Sequence, residues 1–379
     1  MERMRDDGLF HPTDKQTTDA DTSISQPLTT HGGLNDAELR SLNLDPASLI
    51  DFSVNVNPFG PSPRARASLR DFDPAHYPDR DALKLREALA GVNSLAPDHV
   101  LVGNGAAELI WLAAQALLEP GDAALIVGPT FTEYERAARA VGANVVAFRA
   151  APPTFQLNLD SLITEIETRR PRLVFLCNPN NPTGLYLSDG DVRRIAAACA
   201  DGQLILDEAY RSFVAPAPFG PPLTASALVL RSMTKDFALA GLRLGYALGE
   251  PELLNAMRAF QPPWSVNGAA QAAGLASLND LDHLRHTLEL TRQSAHSLRT
   301  ALTDLGAWAH PSPAHFMLIE VGDGAAWRRR LMMRGCLVRD CASFGLPQHV
   351  RVGARRPEEN RQLVKAWAKL NSSRRGHRA

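Results

Sequence analysis

Beyond His31 the chain alternates short apolar runs with stretches of helical periodicity. Val100-Leu101-Val102 leads through Gly103-Asn104-Gly105 into a helical pattern over 106–118. The run 124–127 ends at Gly128-Pro129, followed by a helix over 132–141 and a strand over 144–148. The run 173–176 enters a loop of Asn and Pro, with a helix over 191–200 after it. Leu204-Ile205-Leu206 stops at Asp207, and 227–230 stops at a loop beginning with Ser232. Apolar strands without polar alternation are buried on both faces. The pattern therefore predicts an α/β fold, a mostly parallel sheet flanked by helices. Ligands of such sheets sit beyond the carboxyl ends of the strands. Residues 103–105, 178–184, Asp207 and 232–235 all fall on that edge.

After Gln261-Pro262-Pro263 the character changes. Helical patterns over 268–278 and 282–305 are followed by strands at 316–319 and 350–352 and a closing helix over 357–370. This predicts a smaller α+β domain, with the prolines at the junction. The expected organisation is a polar, disordered tail at 1–30, an N-terminal arm at 31–60, a large domain at 61–262 and a small one at 263–372.

Composition narrows the class. A chain of 379 residues is long enough for two packed domains, and 45% hydrophobic with 21% charged residues reads as globular. A net charge of -1 argues against nucleic acid and anionic membranes as partners. No apolar run reaches the length of a membrane span, and the first thirty residues lack the apolar core of a signal peptide. Cys177, Cys199, Cys336 and Cys341 show no metal-type spacing, so the expectation is a reduced, cytoplasmic compartment and no metal site.

The lysines are few: Lys15, Lys84, Lys235, Lys365 and Lys369. Lys84, Lys365 and Lys369 lie among other charges in helical patterns, where lysine is a solvated face. Lys235 instead closes the loop Ser232-Met233-Thr234-Lys235 directly after a buried strand, ahead of Arg243. An amine beside two hydroxyls and a guanidinium suits a carbonyl cofactor that also carries a phosphate: the amine forms a Schiff base, the others hold the dianion. An ordinary polar loop is the alternative. Asp207 ends a buried strand, where an unpaired carboxylate is expensive. The protonated ring nitrogen of pyridoxal phosphate is one partner for it; a helix cap or a metal ion are others. Free N–H groups of Gly105, Ala106 and Ala107 at a helix start offer a second phosphate contact. Tyr210 and Asn181 are placed to reach a ring oxygen. Phe131 either lies flat on the ring or belongs to the core.

With these residues in place, the chain resembles the fold-type-I pyridoxal-phosphate enzymes of the aspartate aminotransferase superfamily, in the histidinol-phosphate aminotransferase branch. The matching elements are Asn55-Val56-Asn57-Pro58-Phe59-Gly60, Tyr77-Pro78-Asp79, Gly103-Asn104-Gly105 with Glu108, residues 178–184, Asp207 to Tyr210, Ser232 to Lys235 and Arg243-Leu244-Gly245. The resemblance implies that Lys235 binds pyridoxal 5'-phosphate and serves as acid and base, with Asp207 on the ring nitrogen. It implies that Asn181 and Tyr210 hold the ring oxygen, that Phe131 stacks, and that Gly105, Ala106, Ser232, Thr234 and Arg243 hold the phosphate. Tyr77 would reach the phosphate in a neighbouring subunit, making a homodimer, and Arg351 would clamp the substrate carboxylate.

Within that branch, His31-Gly32-Gly33, residues 51–58, Pro263-Trp264-Ser265-Val266-Asn267 and Arg339-Asp340-Cys341 resemble the L-threonine-O-3-phosphate decarboxylases of cobalamin synthesis. The expectation from these details is a lyase that decarboxylates threonine phosphate to aminopropanol phosphate, with His31 and Arg339 on the substrate phosphate. The alternative is an aminotransferase acting on histidinol phosphate or a related amino acid. A ligand-sensing regulator on the same fold is a third reading, disfavoured because no helix-turn-helix pattern or basic patch precedes His31.

Overall fold

The computed structural model describes residues 31–200, 202–214 and 219–375. The expected disordered tail, residues 1–30, lies outside the described residues.

The N-terminal arm contributes β1 (Ile50–Asp51), and the large sheet follows with β2 (Val100–Gly103), β3 (Ala123–Gly128), β4 (Asn144–Arg149), β5 (Leu173–Cys177), β6 (Gln203–Asp207), β7 (Ala227–Ser232) and β8 (Gly245–Leu248). Their order across the sheet is β2-β8-β7-β6-β5-β3-β4. Strands β3 to β7 pair in parallel, and β8 runs antiparallel to both of its neighbours. This is the expected fold, a mostly parallel sheet. The register sets Cys177 beside Asp207 and Asp207 beside Leu230, so the carboxyl ends of β5, β6 and β7 meet at one edge. Strands β5 and β7 are buried at every position, which is why their sequences carry no alternation.

The C-terminal part adds β9 (Trp308–Ala309), β10 (Phe316–Glu320), β11 (Cys336–Leu337), β12 (Arg339–Asp340) and β13 (His349–Gly353). Four of these form an antiparallel sheet in the order β12-β13-β10-β9, while β11 pairs in parallel with β1. The arm is thus stitched to the small sheet: Phe52 N donates to Leu337 O, and Gly353 N donates to Phe52 O.

Hydrophobic packing does not divide at the prolines of 262–263. Val266, Ala270, Ala273 and Leu288 belong to the cluster beneath the large sheet, whereas Ala295, Leu298 and Leu302 belong to the small one. We propose that the border between the two domains lies inside the helix Leu281–Asp304, which spans both cores. Among the described residues no helix is long and apolar enough to cross a membrane, and no cluster of His, Cys, Asp and Glu could hold a metal ion.

Candidate active site

A cavity of about 440 Å³ opens at the carboxyl edge of the large sheet. Every residue expected in the site lines it except Gly105, which directly precedes the lining residue Ala106, and Tyr77. Residues more than 300 positions apart, from His31 to Arg351, converge there.

Lys235 is half-buried on a turn that follows β7. Its N–H donates to Ser232 O at 3.2 Å, and its carbonyl accepts from Asn57 N at 2.9 Å. The Asn57 side chain also donates to Asp236 O and Thr287 Oγ1, both at 2.9 Å, so the arm fastens the lysine turn to the helix Leu281–Asp304. Burial, reinforced by the Arg351 and Arg243 cations, pulls the Lys235 amine down to about 8. The amine is therefore far easier to deprotonate than an exposed lysine.

Asp207, at the end of β6, accepts from the Tyr134 hydroxyl at 2.6 Å and from Ala209 N at 2.9 Å. Burial nevertheless raises its pKa, with those hydrogen bonds and Lys235 opposing the rise. Such a carboxylate gains from a cationic partner. Tyr134 escaped the sequence reading; it lies stacked on Phe175, with its edge against Phe131. The signal was the pair Phe131 and Tyr134 directly after a strand end, one just ahead of the helix Glu133–Ala140 and the other in its first turn.

The residues expected to hold a phosphate come from separate elements. The helix Gly105–Leu117 points its first N–H groups at this edge, and Glu108 Oε2 accepts from Asn104 N at 2.7 Å. Gly105 has φ +77°, and a Cβ there would fall 2.8 Å from Arg243 Nη2. A Cβ on Gly245 would fall 2.5 Å from Ala106 N. Ser232 Oγ and Thr234 Oγ1 lie 2.6 Å apart, both buried. Two glycines without side chains thus let a helix N-terminus, two hydroxyls and a guanidinium share one small volume.

On the other wall Arg351, fully enclosed, donates to Asn181 Oδ1 and Ser53 O. Tyr210 lies with its ring centroid 6.0 Å from Lys235 Nζ. Arg339 donates to Ser343 Oγ at 2.7 Å and to the His31 carbonyl at 3.2 Å. His31 faces a carboxylate of the protein itself: its Nε2 lies 3.3 Å from Glu133 Oε1. Tyr77 stands outside, 83% exposed, with its ring tilted against Trp264.

Residues 47–366 match the family described as aminotransferase class I and II. A histidinol-phosphate aminotransferase of Symbiobacterium thermophilum is 40% identical over 326 residues, covering 84% of this chain and 89% of the relative. The structure of histidinol-phosphate aminotransferase from Sinorhizobium meliloti with pyridoxal-5'-phosphate superposes with a TM-score of 0.81 at 23% identity, over 93% of this chain and 99% of that one. L-threonine-O-3-phosphate decarboxylase from Porphyromonas gingivalis gives a TM-score of 0.74 at 27% identity, over 85% and 99%. These similarities overturn the expectation of a lyase acting in cobalamin synthesis. The 40% identical relative is an aminotransferase, and the decarboxylase is a more remote likeness. The motifs that suggested decarboxylation were His31-Gly32-Gly33, 51–58, 263–267 and 339–341; of these, His31, Gly32, Ser53, Val54, Asn55 and Arg339 line the cavity, which does not by itself distinguish the two reactions.

Proposed function

The chain belongs to the aminotransferase class I and II family, and we propose that it transfers the amino group of histidinol phosphate to 2-oxoglutarate with pyridoxal 5'-phosphate as cofactor. The observation that carries the substrate is the 40% identity, across most of both chains, to a histidinol-phosphate aminotransferase.

The donor set fits the cofactor: a half-buried amine of lowered pKa, a buried carboxylate in need of a cation, and a glycine-built anion cradle. When bound, the cofactor supplies an electron sink for the charge left at the substrate Cα. Lys235 would attach it, Asp207, oriented by Tyr134, would hold its ring nitrogen, and Phe131 would cover its face. Ser232, Thr234, Arg243 and the N–H groups of Gly105 and Ala106 would take its phosphate. Asn181 spends its amide oxygen on Arg351, which leaves its amide donors, with the Tyr210 hydroxyl, for the ring oxygen. The Lys235 amine takes the proton from the substrate Cα. Arg351 and Arg339 hold the substrate phosphate in one half-reaction and the acceptor's carboxylates in the other, a dual duty suited to planar guanidinium groups. Orienting Cα so that its hydrogen faces Lys235 supplies much of the rate, because effective molarity from orientation reaches ~7–11 kcal/mol. The enzyme works as a homodimer in which Tyr77 completes the partner's phosphate site.

The test is to incubate the purified protein with histidinol phosphate and 2-oxoglutarate and follow glutamate. Glutamate formed at the rate histidinol phosphate is consumed is the expected result. Glutamate from other amino donors but none from histidinol phosphate would move the protein elsewhere in the family.

A further inference from the structure

We propose that Glu133 is the specificity residue for the substrate's side chain, accepting the imidazole N–H of histidinol phosphate where His31 Nε2 lies in the free protein. This assignment rests on the transaminase reading above.

The cavity wall is rich in cations: Lys235, Arg243, Arg351, Arg339 and Arg136. Among the described residues only two carboxylates line it, Asp207 and Glu133. Asp207 is absorbed by the ring-nitrogen role. Glu133 has no part in the chemistry at Cα or in either anion site. Its side chain is 8% exposed. Oε2 accepts from Trp111 Nε1 at 3.0 Å, and Oε1 accepts from Arg136 Nη1 at 2.7 Å. An ionised carboxylate offers about four acceptor directions, so these two bonds leave capacity for one more donor on the cavity side.

That capacity is already filled by an imidazole. His31 Nε2 lies 3.3 Å from Oε1, and the His31 ring packs on Phe131 with centroids 5.9 Å apart. The His31 side chain is 53% exposed, and pairs of that kind are weakly held. The geometry therefore describes a seat for an imidazole, beside the ring-stacking Phe131, occupied by an exchangeable one. Histidinol phosphate carries a phosphate for Arg351 and Arg339 and an imidazole for Glu133. A substrate with a phosphate and an aliphatic side chain would bring the phosphate and leave Glu133 opposing it.

The experiment compares histidinol phosphate with phenylalaninol phosphate, which has a benzene ring in place of the imidazole, with 2-oxoglutarate as acceptor. In E133Q the KM for histidinol phosphate should rise about ten- to hundredfold, the range of one charge-assisted hydrogen bond, with kcat nearly unchanged. Phenylalaninol phosphate should be used as well as before or better; that rate also reports that the variant is folded and loaded with cofactor. H31A should lower the KM for histidinol phosphate by removing the competing ring. Equal losses on both substrates, an unchanged KM for histidinol phosphate in E133Q, or a raised KM in H31A would each overturn the assignment of Glu133. A wild-type enzyme that ignores histidinol phosphate while using phenylalaninol phosphate would overturn the function proposed above and Glu133's role with it. A wild type that uses histidinol phosphate, with E133Q indifferent, would sink Glu133 alone.

Discussion

At Lys235 an amine is partly withdrawn from water with two guanidinium groups near it, and its proton affinity falls for that reason. Burial is the largest cause, Arg351 the next and Arg243 the third, with Asp207 opposing them. The sign of each follows from which protonation state it penalises: desolvation and neighbouring cations both act against the ammonium form. The apoprotein's capture of pyridoxal phosphate should therefore speed up as pH rises toward about 8 and level off above it, because only the neutral amine attacks a carbonyl. Removing one cation should move this limb. Arg351→Gln relieves repulsion of the ammonium form, so the inflection should shift to higher pH. Stopped-flow absorbance of cofactor binding across pH, with no amino substrate present, measures both. An inflection that stays in place, or moves down, would mean that Arg351 does not act electrostatically on Lys235. Lys235 was legible in the sequence because it follows a buried strand and stands apart from the charged helical faces that hold Lys84, Lys365 and Lys369.

Individual elements are placed by what their backbones allow. The helix Gly105–Leu117 approaches β8 so closely that Gly245 faces Ala106 N, and Gly105 takes a left-handed φ beside Arg243. Gly105→Ala would impose a positive φ on a residue with a Cβ, costing about 1–2 kcal/mol, and would push the Arg243 guanidinium off its place. Cofactor affinity should fall by about tenfold or more while the rest of the fold survives. Equilibrium titration with pyridoxal phosphate beside a thermal melt separates the two effects, and unchanged affinity would remove the cradle argument. Strands β2, β3, β5, β6 and β7 were readable because burial on both faces leaves continuous apolar runs, whereas β4 is an edge strand with no buried position and was readable from its β-branched and aromatic residues alone. Strand β8 was not, since its four residues begin with glycine and its position between β7 and β2 comes from pairing over long sequence distances. Strands β1, β11 and β12 have two residues each, too short for any period. The helix Gly268–Leu278 was found but given to the small domain. Its small residues admit close packing, and a Cβ at Gly274 would fall 2.5 Å from a Leu244 side-chain carbon. Glu133 looked like one more acid in an amphipathic helix; only the fold turns it toward the cavity.

Across the whole molecule the site draws on the arm, both sheets and, in the proposed dimer, a second subunit. Tyr77 is the residue that distinguishes a dimeric site from a self-contained one. It is 83% exposed, lies tilted against Trp264 at a centroid distance of 4.9 Å, and does not line its own cavity. A large aromatic pair held outward in this way has a use only if another surface receives it. If Tyr77 serves the partner's cofactor phosphate, then Lys235 and Tyr77 of any one site come from different chains. Lys235→Ala and Tyr77→Ala should each be strongly impaired as homodimers, by the missing amine and the missing phosphate contact respectively. When the two variants are mixed and allowed to exchange subunits, half of the dimers are hybrids. In each hybrid one site combines the intact Lys235 of the Tyr77→Ala chain with the intact Tyr77 of the other. The second site carries both defects. Activity should thus recover to about one quarter of the wild-type level, the proportion that random pairing about a two-fold axis dictates. Recovery that follows subunit exchange, tracked by mass-labelled chains, separates this from refolding. If the mixture never exceeds the sum of its parts although hybrids form, Tyr77 serves its own chain or none.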